Sequence, residues 1–433
     1  MDTGTPEETR EIRPTFGEAL RFWTKLGFIS FGGPAGQIAI MQTELVDKRR
    51  WITQPRFLHA LNFCMLLPGP EAQQLAIYIG WLLHGTRGGI VAGVLFVLPS
   101  VFILWALSFV YAAYGNIPAI AAIFYGLKPV VMAIVAAAVV RIARKSLTHW
   151  LAWVVAAAAF IGIFVCKIPF PILIFAAALI GWGSGSFSKR VTSEPLAAPT
   201  GADTHRPAGG LPLRALRIGL TCGVLWWLPV LIAGALQGWD GTLFKQGIFF
   251  SKAAVVTFGG AYAVLPYVAQ QAVEHYSWLG AGQMMDGLGL AETTPGPLIM
   301  VLQFVGFMGG WNQPGALTPL VAATMGALLT TWVTFVPCFL WIFLGAPHVE
   351  KLHGNFRLRS ALAAVTAAVV GVILNLAVWF GMRVIFPASG GIDWIAIALG
   401  VVTFIGLVKW KWDVMGVVIG GGFCGLMLHF LRG

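Results

Sequence analysis

From residue 57 to its end the chain alternates long apolar runs with short polar ones, as in "GGIVAGVLFVLPSVFILWALSFV" at 88–110. About 20 apolar residues in an α-helix cross the hydrocarbon core of a bilayer, and these runs approach that length. They lack the strict polar/apolar alternation of a membrane β-barrel strand. The predicted fold class is therefore an all-α polytopic membrane protein. Runs near 89–113, 118–140, 149–165, 168–185, 213–236, 316–345, 361–385, 391–408 and 412–431 read as full spans. Those at 16–46, 57–84, 243–276 and 283–311 are interrupted by Gly-Gly or Pro-Gly-Pro and read as broken or re-entrant helical hairpins.

The interruptions recur. "FISFGG" (28–33) falls on "VVTFGG" (255–260), Trp51 on Trp278, and Pro68-Gly69-Pro70 on Pro295-Gly296-Pro297, all at an offset of 227 residues. Further on, "VLPSVFILW" (97–105) resembles "FVPCFLWIF" (335–343), and "AIVAAAVV" (133–140) resembles "AAVTAAVV" (363–370). The chain reads as two homologous halves. A tail (1–15) precedes the first repeat (16–185); a polar linker (186–212) expected on the cytoplasmic side and a connecting transmembrane helix (213–236) lead into the second (237–433). One odd span between the repeats inverts the second. Loop charge agrees: "ELVDKRRWITQPRF" (44–57) is strongly basic, whereas "AVEHYSWLGAGQMM" (272–285) has no Lys or Arg. The same swap sets "RIARK" (141–145) against "RVIFPASGGID" (383–393). Basic loops stay cytoplasmic, so an inverted-topology repeat is expected.

Composition narrows the function classes. The chain has 433 residues, 58% of them hydrophobic and 10% charged, with a mean hydropathy of +0.81; a soluble domain carries about 25% charged residues. The net charge of +11 clusters at segment ends, which makes it a topology signal and not a nucleic-acid surface. The first 27 residues hold no apolar core of a signal peptide, so the N-terminus is expected to be retained. Cys64, Cys166, Cys222, Cys338 and Cys424 show no paired spacing and read as small core residues. No metal-ligand spacing and no nucleotide-binding loop occur, so no metal, no cofactor and no enzymatic activity are expected.

The breaks carry the chemistry. Pro-Gly-Pro must end one helix, and Pro suits the first position of the next. In hydrocarbon, such unpaired backbone survives only where it is buried in protein or lines a wet cavity. A helix that restarts there offers N–H groups and the positive end of its dipole to an anion. Candidate substrate contacts are Gly32, Gly33, Pro68, Gly69, Pro70, Gly259, Gly260, Pro295, Gly296 and Pro297 at the breaks, with Gln37, Gln73, Gln74, Thr293 and Thr294 as hydrogen-bond donors. Lys25 and Lys252 occupy equivalent positions and are candidate sources of positive charge. Glu71 and Glu292 flank the two Pro-Gly-Pro motifs, and an intramembrane carboxylate is costly enough to suggest proton coupling. They are not repeat mates, because Glu71 aligns with Leu298 and Glu292 with Met65.

"FGGPAGQIAIMQTELVDKRRW" (31–51), "LLPGPEAQQLAIYIGW" (66–81) and "GLAETTPGPLIMVLQFVGF" (289–307) together resemble the chromate ion transporter family in its long, two-domain form. The resemblance implies a multi-pass inner-membrane secondary transporter that exports chromate from the cytoplasm by proton antiport and confers chromate resistance. Sulfate is a structural analogue of that substrate. The expected partners are the chromate or sulfate anion, protons and the bilayer; nucleic acid is not among them, and a homodimer is compatible with the pattern. Uptake or exchange of another oxyanion, or passive anion conduction, remain the competing readings.

Overall fold

The computed structural model describes residues 11–184, 211–346, 356–387 and 390–432, so most of the predicted linker at 186–212 lies outside the described residues. Every regular element among them is helical. The first half contains α1 (Phe16–Ile29), α2 (Gly33–Gln42), a π-helical turn (Thr43–Lys48), α3 (Gln54–Cys64), α4 (Glu71–Tyr114), α5 (Pro118–Ser146), α6 (Trp150–Phe164) and α7 (Phe170–Ser184). Helix α8 (Leu211–Gln237) connects to the second half. There follow α9 (Thr242–Val256), α10 (Ala261–Gln270), a second π-helical turn (Gln271–His275), α11 (Ala281–Thr293), a 3-10 turn (Leu298–Met300) leading into α12 (Val301–Asn312), then α13 (Pro319–Gly345), α14 (Phe356–Ile385), α15 (Trp394–Lys409) and α16 (Val414–Arg432).

Local chemistry sets these boundaries. Thr15 and Glu18 exchange hydrogen bonds in a capping box that starts α1. The Gly-Gly pairs that end α1 and α9 have φ of 84° and 67° at Gly32 and Gly33, and 83° and 89° at Gly259 and Gly260. Those angles lie where only glycine is unstrained. Beyond each break the chain folds back along the helix it left. The Trp51 ring lies 5.3 Å from Phe22, and Trp278 lies 5.7 Å from Phe249, the residue at the same repeat offset.

Helices α4, α5, α8, α13, α14 and α16 are long and apolar enough to cross a membrane. Helices α6 and α7, of 15 residues each, and α15, of 16, fall short of the spans their sequences suggest. Backbone reversals cut them: Lys167 (φ 54°) precedes Pro169, and Lys411 (φ 55°) follows α15. The boundary expected between 57–84 and 89–113 is present inside α4: His84 and Gly85 (φ 62°, ψ −154°) leave helical geometry and the chain turns back there, so that a Cβ on Gly80 would meet the Gly88 carbonyl and one on Gly93 would meet Ile77. Cys64 and Cys338 are buried as expected, but Cys166 and Cys424 are exposed and Cys222 is intermediate.

The halves interlock. Helix α5 packs against α15 and α16 of the second half, while α14 packs against α6 and α7 of the first. Glycines permit the close approach: a Cβ at Gly126 would strike the Gly421 carbonyl, and one at Gly371 the Ala156 carbonyl. The two broken hairpins are nevertheless seated to different depths. Ala261 through Ala269 of α10 are all buried, whereas α2 buries only Gln37 and Met41. Likewise α11 buries every residue from Met284 to Glu292, while α3 buries Phe57, Ala60, Phe63 and Cys64.

On the basic turn after α2, Glu44 accepts from Lys48 Nζ at 2.7 Å and lies 3.6 Å from Arg49, whose guanidinium covers the Phe22 and Trp51 rings. The Lys48 hydrogen bond holds the Glu44 carboxyl below its usual range, reinforced by charge from Lys48, Lys25 and Arg49 and opposed by burial. A lowered folded-state value stabilises the fold above the ordinary carboxylate range, and the contribution is lost as pH falls through the lowered value. Glu44→Gln is therefore expected to reduce the melting temperature at pH 7 and to do so less as the sample is acidified. Melts at a series of pH values check this.

Candidate functional site

Pro-Gly-Pro leaves its glycine as the one residue of the motif able to donate a backbone hydrogen bond. Gly69 (φ 123°) gives its N–H to the Thr257 carbonyl at 2.8 Å, and Gly296 (φ 103°) gives its own to the Ser30 carbonyl at 2.7 Å. Ser30 and Thr257 are repeat equivalents, as are Gly69 and Gly296. Each Pro-Gly-Pro thus binds the end of the helix before the other half's Gly-Gly break. An exchange in which i meets j and j's equivalent meets i's is what a two-fold relation between like parts produces.

Sulfur and oxygen complete the pattern. A Cβ at Gly69 would lie 3.0 Å from Cys338 Sγ, and one at Gly296 3.0 Å from Ser100 Oγ. Ser100 and Cys338 follow the mid-helix prolines Pro99 and Pro337 of α4 and α13, in the stretches that matched by sequence. The hydroxyls of Ser30 and Thr257 each turn back onto their own helix, to the Leu26 and Ala253 carbonyls at 2.6 Å.

The glutamines beside the breaks are buried, and two of them brace the motifs. Gln37 donates an amide N–H to the Gly296 carbonyl, and Gln74 to the Pro68 carbonyl at 2.7 Å. The amide oxygens of Gln37, Gln73 and Gln74 are buried without a hydrogen-bond partner among the described residues. Thr293 and Thr294 give their hydroxyl protons to Leu290 and Ala291 of α11 at 2.8 and 3.1 Å. Lys25 and Lys252 have exposed side chains, and Lys25 acts electrostatically on Glu44 of the basic turn.

Glu71 opens α4, directly after Pro70, and its Oε1 lies 3.9 Å from where a Cβ would stand on Gly260, at the start of α10. Thr366 of α14 approaches Gly259 at the same distance, 3.9 Å. Glu292, 6% exposed, accepts from the Tyr262 hydroxyl at 2.6 Å. The Arg141 guanidinium lies 6.0 Å from the Tyr262 ring, within reach of its hydroxyl and of the Glu292 charge, and Lys145, one turn on, acts on Glu71. The first turn of α10, Tyr262, Glu292, Glu71, Arg141 and Lys145 therefore form one constellation around the second Gly-Gly break. By contrast, nothing lies within 4 Å of a Cβ on Gly33 at the first break.

Arg141 escaped the sequence reading because "RIARK" looked like a basic loop; the structure makes it the last turns of α5. Aligning 133–140 with 363–370 places Arg141 opposite Gly371, so a charge present in one half alone was the available signal. A cavity of about 80 Å³ lined by Lys167, Tyr267, Gln270, Glu274, Asn375 and Trp379 includes none of the break residues.

Residues 17–182 and 244–426 match the chromate transporter family. A chromate transport protein of Pseudomonas aeruginosa is 30% identical over 436 residues, covering 98% of this chain and 95% of the relative. One of Cupriavidus metallidurans is 28% identical over 421 residues (96% and 94%), and an uncharacterized transporter of Methanocaldococcus jannaschii is 25% identical over 398 residues (91% and 90%). No solved structure matches the chain.

Proposed function

Since the chain belongs to the chromate transporter family, a family of multi-pass membrane transporters, we propose that it moves chromate out of the cytoplasm in exchange for protons and so confers chromate resistance. The halves are an inverted repeat, and chromate sits between them at the helix breaks. The observation that carries this reading is the reciprocal bonding of Gly69 to Thr257 and Gly296 to Ser30. It joins each half's Pro-Gly-Pro to the other half's Gly-Gly break by the same backbone bond, an arrangement suited to alternating access.

The anion is held by the first turn of α10 after Gly259-Gly260 and by Arg141, while the Tyr262 hydroxyl stays bonded to Glu292. A planar guanidinium suits a tetrahedral oxyanion because its N–H groups bond two oxygens at once. Helix dipole ends supply partial charge in place of further fixed cations, so the dianion binds and still leaves.

Chromate flux into and out of liposomes bearing the purified protein tests this, with the membrane potential clamped and a pH gradient imposed. Accumulation of chromate that follows the pH gradient and resists a hundredfold excess of sulfate is the expected result. Flux indifferent to the gradient would make the protein a channel or an anion exchanger. Flux abolished by sulfate would make sulfate the substrate and chromate its mimic.

A further inference from the structure

A second charged cluster lies one end of α11 away from the breaks. Asp286 is 4% exposed. Its Oδ2 accepts from the Tyr111 hydroxyl at 2.9 Å and lies 3.9 Å from Lys128 Nζ of α5, while its Oδ1 is buried without a hydrogen-bond partner among the described residues. Phe124 and Phe304 pack edge-on against Tyr111 at 4.7 and 5.4 Å, and Phe304 also lies against Gly287, the residue after Asp286. Lys128 runs along the first turn of α11, near Gly282, and its side chain is 35% exposed. Of the elements packed on α11, α4 supplies Tyr111 and α5 supplies Lys128, while α12 carries no titratable side chain. Helix α14 carries Arg357, Arg359 and Arg383 near its ends, and α16 carries Cys424, His429 and Arg432. On α11 itself the other carboxyl is Glu292, which is bonded to Tyr262.

We propose that Asp286 carries the proton exchanged for chromate, with Lys128 as the counter-charge that holds its ionised form in place. The proposal rests on the proton-antiport reading above. A buried carboxylate with one oxygen unpaired is poorly compensated as an anion, and a lysine just beyond hydrogen-bonding distance compensates it only in part. The step adds one proton from water to Oδ1, forming an O–H bond and a neutral carboxyl; Lys128 keeps its ammonium throughout. Once neutral, Asp286 no longer attracts Lys128, and α11 loses a charge tie to α5. Deprotonation restores it. The repeat supports a dedicated role: the equivalent of Asp286 is His59, and the position matching Lys128 in α14 is Leu358, so the aspartate and lysine each occur in one half only.

Two transport modes of the full-length protein in liposomes separate coupling from structure. Chromate–chromate counterflow needs no net proton movement, whereas accumulation driven by a pH gradient does. Asp286→Asn should keep counterflow within about threefold of the parent, lose gradient-driven accumulation at least tenfold and flatten the pH profile; Asp286→Glu should retain both modes. Lys128→Met, which keeps the carboxyl, should move the pH profile of net flux by about a unit. Normal accumulation by Asp286→Asn overturns the proposal, as does equal loss of both modes in Asp286→Asn with an unmoved profile in Lys128→Met. If the parent itself ignores the gradient, proton antiport fails first, and the proposal falls with it.

Discussion

Gly296→Ala will abolish gradient-driven chromate flux while the protein still inserts in the membrane. The added Cβ would lie 2.7 Å from Ser100 Cβ, which has no rotamer to retreat to, at a backbone φ of 103°. Positive φ costs about 1–2 kcal/mol for a residue with a Cβ, and overpacking adds about 1–3 kcal/mol. The total, roughly 2–5 kcal/mol, depopulates the seated arrangement by about 30-fold or more. Gly69→Ala meets the mobile end of Gln74 at 2.9 Å and Cys338 Sγ at 3.0 Å, so its loss should be smaller. Gly315→Ala shares the positive φ (62°) with nothing within 4 Å and should transport normally. Retained transport by Gly296→Ala, measured beside a membrane-insertion assay, would remove the Pro-Gly-Pro seating from the mechanism.

Arg141→Ala is expected to cut chromate transport by about a hundredfold. Two effects combine: the anion loses its guanidinium, and the buried Glu292, which accepts from Tyr262, loses a nearby positive charge. The double variant Arg141→Ala with Glu292→Gln separates them. If Arg141 serves only to balance Glu292, removing both charges restores flux; if it contacts chromate, flux stays lost. Arg141→Lys keeps the charge but not the planar fork, and should retain about a tenth of the parent's rate.

The fold was legible wherever the backbone must do something only certain residues allow. Gly-Gly and Pro-Gly-Pro state a break outright, and their fixed offset states the duplication. The partners of those breaks were not legible, because Gly69 and Thr257 are joined by a backbone bond that leaves no side-chain signature. Charge misled in one place: Arg141 and Lys145 look like loop residues since basic side chains usually mark span ends, yet α5 continues through both. Asp286 was hidden differently. Its stretch "GAGQMMDGLGL" (280–290) lies at the start of an expected broken hairpin, and only packing shows that Tyr111 and Lys128 reach its carboxylate.

The unequal depth of the two hairpins has an evolutionary consequence. In an assembly of two identical short chains, every substitution appears on both sides of the axis, so a carboxylate useful to one hairpin burdens the other. Joining the copies through α8 lifts that constraint. The α10–α11 hairpin is the deeply packed one, with Asp286, Glu292 and Tyr262, while α2–α3 is shallow, with His59 and Met65 opposite the two carboxylates. A single chain with two unlike hairpins can divide labour in a way that a symmetric dimer cannot.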